Sequence, residues 1–469
     1  MSTKIVATIG PATCSREQLE KLAAAGMSVA RLNGSHADLD WHRAAISLIR
    51  STLPDTPILL DIPGRKVRTT QLAFEPTFEV GDIIILTTET SYDGKEKVPV
   101  NYGQLHADLK SNDIILADDG TLRFIVIKID GVDIHCRALV AGTLRSRKGI
   151  NVPHVSLSTP MVTPRDHEMM KFARETGVDF VGISFVESAR HVKAFKELAG
   201  GNTPQILAKI ENQGGLDHMD EVIEAADAIM IDRGDLSVET NIETVAIYQK
   251  QIIKCARKRG RPVIVATEML HSMIQNDFPT KAEVADITNA VLDGCSATML
   301  SGETAVGRYP IKTVELMRLV SNVAMPHLQS GNEAQHQGAT PSQAVEDAIA
   351  LILRSVPITK VVAVTRSGYA ARMLAARSPV QPIFAVSDDA AMARSFNLYS
   401  GVEGVHFNQP FPKSSADHIV VCIKQLFDTK KLNAADTILV TGAIYPRSGT
   451  RMNSIQIHRV GDLVEEFGW

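Results

Sequence analysis

Cysteine is scarce in this chain. Cys14, Cys136, Cys255, Cys295 and Cys422 are scattered, odd in number and form no CxxC pair. Neither a disulfide framework nor a thiolate zinc site is indicated, and the thiols read as those of a reduced, cytoplasmic protein. No apolar signal core follows the opening MSTKIVATIGPAT, and no long apolar span comes later. The expectation is a protein that is neither secreted nor membrane-spanning. A surplus of one charge sign is also missing: 49 Lys and Arg stand against 53 Asp and Glu, for a net charge of −4. That balance argues against a nucleic-acid surface or a basic membrane patch. There is no internal repeat, Walker A loop, dinucleotide glycine fingerprint, protein-kinase motif set or HExxH spacing.

What is present is a globular mix, 44% hydrophobic and 22% charged over 469 residues. That length suits roughly two to four domains. Eight short apolar runs, at 4–9, 29–32, 58–61, 180–184, 206–210, 228–231, 263–267 and 297–300, alternate with helical stretches such as 16–25, 41–51, 165–176 and 245–258. Near-continuous apolar runs suit parallel strands buried on both faces. Eight such units predict an α/β fold, a (β/α)8 TIM barrel, from 1–69 and 156–328. The long interval 70–155 reads as β structure instead, with a hairpin signal at Asp130-Gly131 and turns at Asp93-Gly94 and Asp119-Gly120. An inserted β lid domain at the C-terminal face of the strands is predicted there. A polar linker at 330–342 leads to a C-terminal α/β domain over 342–469, with strands at 361–365, 383–386, 402–407, 438–442 and 455–460.

In a barrel the chemistry sits at the C-terminal ends of the strands. Here those ends read Arg31-Leu32-Asn33, Asp61-Ile62-Pro63, Lys209-Ile210-Glu211, Asp232-Arg233-Gly234-Asp235, Thr267-Glu268 and Ser301-Gly302-Glu303. Lys209 and Glu211 alternate on one strand and so point into the same mouth. Glu211 and Asp235 can hold Mg²⁺ while leaving positions for water and substrate oxygens. Gly234 lets the backbone approach an anion. Lys209, Arg31 and Arg68 offer positive charge for a phosphoryl group in transit. Taken singly, each has a bland reading: Lys209 and Glu211 as a surface pair, Asp235 as a helix cap, Arg31 as an internal ion-pair partner. Six such strand ends together argue for a site. His36 and His271 show no ligand spacing and read by themselves as structural.

The stretches TKIVATIGPAT (3–13), RLNGSH (31–36), AKIENQGG (208–215), RGDLSVE (233–239), ATEMLHSM (266–273), PTKAEVADITNAVLDG (279–294) and MLSGETAVGRYP (299–310) resemble the signatures of the pyruvate kinase family, over essentially the whole chain. The resemblance implies phosphoryl transfer from phosphoenolpyruvate to ADP, giving pyruvate and ATP. It implies that Lys209 stabilises the phosphoryl and the enolate oxygen, and that Glu211 and Asp235 bind Mg²⁺ or Mn²⁺. Thr267 would lie near the proton given to the enolate carbon. Arg31, Asn33, His36, Arg68, Gly234, Asp235 and Thr267 would form the substrate and nucleotide phosphate-binding set. Asn33, Ser35, Asp61 and the carbonyl of Ile62 would match the family's monovalent-cation site. A cytoplasmic homotetramer is the implied assembly. Thr365, Arg366, Ser367 and Gly368, with Ser448-Gly449, would match a loop for a sugar-phosphate or nucleotide effector.

Several residues depart from the family's pattern. Lys66 stands where potassium-dependent members carry Glu, so its ammonium is expected to replace K⁺ and make that ion unnecessary. Ile62, Pro63 and Arg65 replace the usual Thr, Lys and Pro. Gly34 replaces Phe, which is expected to loosen local packing. Asp232 and Glu268 replace Ala and Gln, and the bland expectation turns both toward basic neighbours such as Arg233. Two other readings stay open: a paralogue acting on a different enolpyruvate-type acid, or a catalytically weak regulatory or binding homologue.

Overall fold

The structure, a computed structural model, describes residues 3–118, 120–153, 155, 157–158, 160–328, 340–412, 415–443 and 452–469. Eight parallel strands close into a barrel in sequential order: β1 (Lys4–Thr8), β2 (Val29–Asn33), β3 (Ile58–Asp61), β4 (Phe180–Ile183), β5 (Gln205–Ile210), β6 (Ala228–Asp232), β7 (Val263–Ala266) and β8 (Ala297–Leu300). All eight apolar runs are therefore barrel strands. Each is buried on both faces because helices cover the outside and side chains fill the inside.

The inside is layered by the two-residue pleat. Val6, Val29, Leu59, Phe180, Leu207, Met230, Ile264 and Met299 form an apolar plug. Two residues further along the same strands come Thr8, Arg31, Asp61, Lys209 and Asp232, all buried. The alternation that fills the barrel thus delivers a ring of polar groups to its C-terminal mouth.

Between β3 and β4 a seven-stranded sheet forms, including Val67–Arg68, Ile114–Ala117, Leu122–Asp130, Asp133–Ala138 and Gly149–Asn151. Leu122–Asp130 and Asp133–Ala138 pair antiparallel across the Asp130-Gly131 turn, where Gly131 takes φ +60° at no steric cost. Its own core includes Phe78, Phe124, Ile115 and Ile134. Beyond the barrel, five strands from Lys360–Val364 to Ser454–Arg459 make a separate sheet, four parallel and the last antiparallel. Most of the linker read at 330–342 lies outside the described residues, as does Asp119. Among the described residues no helix is long and apolar enough to cross a membrane.

Candidate active site

Lys209, inward-facing near the end of β5, is the centre of the mouth. Its Nζ donates to Ser184 Oγ at 3.3 Å. It lies 3.1 Å from Glu211 Oε2, 3.2 Å from Asp232 Oδ2 and 3.8 Å from Asp61 Oδ2. Burial favours the neutral amine, but Asp61, Glu211, Asp232 and Asp235 outweigh it and hold the Lys209 pKa well above its usual value. Glu211 is fully buried. Its Oε1 accepts the Phe185 N–H at 2.6 Å, while its Oε2 accepts no hydrogen bond; the contact with Lys209 is an ion pair without hydrogen-bond geometry. Burial pushes the Glu211 carboxyl up to about 8, with Lys209 pulling against it. For Asp232, burial raises the pKa and Lys209 and Arg31 more than reverse that, leaving it below the usual carboxylate range.

Arg31 is fixed on three sides. Its Nε and Nη2 donate to Asp61 Oδ2 at 3.1 and 2.6 Å, and its Nη1 to Thr8 Oγ1 at 2.9 Å. The ion-pair reading of Arg31 therefore describes its geometry, and Asp61 serves as its partner. Asp235 lies in the first turn of the helix Arg233–Glu239 and does not cap it; the residue at the cap position is Asp232. Lys66 Nζ is 2.5 Å from Asp235 Oδ1, so its charge enters the cluster at a carboxylate expected to hold the divalent ion. One carboxylate oxygen from each of Glu211, Asp232 and Asp235 lies within 4.8 Å of the others. With an orphaned Glu211 oxygen among them, these residues fit a hard divalent cation.

Thr267 and Glu268 follow β7 with φ of +69° and +56°, values that strain non-glycine residues. The Gly234 N–H donates to Thr267 Oγ1 at 2.9 Å, and Arg233 Nη2 to the Thr267 carbonyl at 2.8 Å. A Cβ on Gly234 would meet only ordinary contacts, the nearest at 3.6 Å.

Three expectations need correction. Asp232 does not turn to Arg233; that guanidinium pairs with Asp286 at 2.7 Å, because the pleat points Asp232 inward to Lys209. Glu268 is exposed. Gly34 does not loosen its surroundings: a Cβ there would stand 2.9 Å from both the Asp61 carbonyl oxygen and Met169 Cε, so Met169 already fills the space.

Other predicted residues lie outside this cluster of contacts. Arg68 Nη1 donates to the Arg147 carbonyl in the lid at 3.2 Å. Ser35 and His36 are exposed, and Asn33 Oδ1 accepts the Ser35 N–H at 3.1 Å. The Ile62 side chain is buried, and its carbonyl accepts from Ser184 Oγ at 3.2 Å. In the C-terminal sheet, Thr365 is buried, Arg366 is engaged by Asp388 at 3.3 Å and by the Phe411 carbonyl, Ser367 is exposed, and Gly368 opens a helix with φ +72°. Ser448 and Gly449 lie outside the described residues. Sequence reasoning missed Ser184 and Thr8, which anchor Lys209 and Arg31. Both fall on inward positions, two residues beyond Gly182 and Val6, so the same alternation would have found them. A cleft of about 290 Å³ opens under the lid, lined by Lys66, Asn151, Phe185, Glu187, Asn212 and Glu239; it adjoins the carboxylate cluster through Lys66.

A family model described as the barrel domain of pyruvate kinase matches residues 1–314, and one described as the alpha/beta domain of pyruvate kinase matches residues 343–458. The pyruvate kinase of Bacillus licheniformis is 37% identical over 477 residues, covering 98% of this chain and 81% of that protein. That of Mycobacterium intracellulare is 34% identical, with 98% of each chain covered. That of Thermococcus litoralis is 35% identical, with 94% of each covered.

Proposed function

The chain belongs to the pyruvate kinase family and is a phosphotransferase; from that premise we propose that its barrel mouth moves the phosphoryl group of phosphoenolpyruvate to ADP through Lys209. The single observation that supports this assignment of roles is the buried ammonium of Lys209 set among Asp61, Glu211 and Asp232. The P–O bond of phosphoenolpyruvate breaks, a bond to the terminal ADP oxygen forms, and the enolpyruvate left behind takes a proton at its methylene carbon to become pyruvate. Lys209 faces the negative charge that grows on the enolate oxygen and the phosphoryl, where a fixed cation in a dry site acts most strongly. Arg31, braced by Asp61 and Thr8, meets the phosphate without reorganising. Thr267 would lie near the proton delivered to carbon. Arg68, on the lid, with Asn33, His36, Gly234 and Asp235, completes the proposed phosphate-binding set.

Glu211 and Asp235 would hold Mg²⁺ or Mn²⁺, which when bound neutralises phosphate charge and polarises the substrate oxygens. Lys66 supplies a fixed monovalent charge at Asp235, so turnover is proposed to need no K⁺ at the site of Asn33, Ser35, Asp61 and Ile62. Thr365, Arg366, Ser367 and Gly368 are proposed as an effector phosphate loop, and a cytoplasmic homotetramer as the working assembly.

The test is turnover with Mg²⁺ on phosphoenolpyruvate and a panel of other phosphorylated acids, in the parent protein and in Lys209→Ala. Pyruvate and ATP should form in equal amounts from phosphoenolpyruvate. In Lys209→Ala kcat should fall by roughly 10²-fold or more with a modest change in KM, since the lost contact belongs to the transition state. A raised KM at unchanged kcat would remove Lys209 from that role, and preference for another acid would overturn the substrate.

A further inference from the structure

We propose that Asp232 is a third carboxylate ligand of the divalent-cation centre, alongside Glu211 and Asp235. The inference rests on the reading that those two residues hold the ion.

Asp232 is the last residue of β6 and is buried at 7% exposure. Its side chain shares the inward face with Met230, so the fold commits a carboxylate to the barrel mouth. Four carboxylates meet there, from Asp61, Glu211, Asp232 and Asp235. Arg31 takes Asp61 at 2.6 Å and Lys66 takes Asp235 at 2.5 Å. That leaves Lys209 as the remaining cation of the cluster facing both Glu211 and Asp232, at 3.1 and 3.2 Å. With all four carboxylates ionised, as ligation of a cation requires, they outnumber the three facing cations Arg31, Lys66 and Lys209 by one, and a buried surplus of that kind suits a bound cation.

Glu211 Oε2 points to where the remedy would sit. It is buried and accepts no hydrogen bond, and one carboxylate oxygen each of Glu211, Asp232 and Asp235 lie in a group no wider than 4.8 Å. Octahedral Mg²⁺ or Mn²⁺, with bonds of about 2.1 Å, places opposite oxygens about 4.2 Å apart. Adjacent oxygens of such an ion stand about 3.0 Å apart, so side-chain movements of about an ångström or less close three carboxylates on one ion, leaving the other positions to water and substrate. A third charged ligand raises affinity for the ion and removes one bound water from it.

The experiment is Mn²⁺ binding to the full-length protein, followed by electron paramagnetic resonance, with the number of metal-bound waters measured in ¹⁷O-labelled water. Asp232→Ala should bind Mn²⁺ roughly tenfold more weakly or worse, and the bound ion should carry an additional water. Asp232→Val, which likewise offers no ligand oxygen, serves the same purpose should the alanine variant fail to fold. Unchanged affinity, or weaker binding with an unchanged water number, would overturn ligation by Asp232; in the second case the carboxylate acts through space. Asp235→Asn is the control for the underlying reading. If the parent binds no Mn²⁺, or Asp235→Asn binds it as the parent does, the centre itself is misplaced and Asp232 falls with it.

Discussion

At the scale of single residues, charge burial in this chain is tolerated where a partner stands ready. Arg31, Asp61, Lys209 and Asp232 face one another, and they were legible because each lies at or near the C-terminal end of a strand on its inward face. The partner of Lys66 was not legible, since its contact with Asp235 crosses from the loop after β3 to the turn after β6, a distance in sequence that no local pattern spans. His191 is a different case. It is buried at 3% exposure on the helix Ala189–Ala199, and its Nδ1 has no hydrogen bond. Burial, with Arg65 adding to it, pushes the imidazole from 6.5 down to about 4. A depressed folded value means that the stability due to neutral His191 is fully present above pH 6.5. It is lost as pH falls toward 4, by on the order of 3 kcal/mol in all. His191→Gln should therefore flatten the loss of urea resistance between those pH values relative to the parent. An identical slope in both proteins would show that another group carries the acid sensitivity.

At the scale of elements, strands and loops were unequally readable. The barrel strands announce themselves by apolar runs, because a strand buried on both faces has no polar side to confuse the pattern. The loops that shape the mouth do not, because Phe185, Thr267 and Glu268 adopt positive φ only under tertiary restraint. Glu283 provides one such restraint. It closes a capping box with Thr280 at the start of the helix Lys281–Asp293. Its carboxylate also accepts from the Ser272 N–H and hydroxyl at 2.7 and 2.6 Å, fastening the turn that follows Thr267 and Glu268. Glu283→Ala should cost about 2 kcal/mol of stability, since it removes both the cap and charged hydrogen bonds. Chemical denaturation measures this, and an unshifted midpoint would show that the turn holds itself.

At the scale of the whole molecule, the order of elements was legible and their joining was not. The C-terminal sheet could be read as five runs, yet nothing local indicated that Leu398 would pack into the base of the barrel core. Nor was it visible that Lys4 would donate to the Val402 carbonyl at 2.7 Å. Asp179 is the junction's buried anion. It accepts from Arg50 at 2.5 Å and the Ile58 N–H at 2.8 Å within the barrel, and from Arg394 of the C-terminal unit at 2.9 Å. Asp179→Ala should lower stability by about 3 kcal/mol, because it strands two guanidinium groups. Calorimetry should show the C-terminal unit melting apart from the barrel; a single transition at the parent's Tm would mean that apolar contacts alone hold the junction.

The most direct test of the account is steady-state turnover of phosphoenolpyruvate and ADP with Mg²⁺, with K⁺ present and with K⁺ rigorously excluded, in the parent and in Lys66→Glu. The parent should turn over at a similar rate in both conditions, and Lys66→Glu should acquire a K⁺ requirement. Parent activity that appears only with K⁺ would contradict the role given to Lys66, and no activity in either condition from folded, metal-binding protein would contradict the reaction itself.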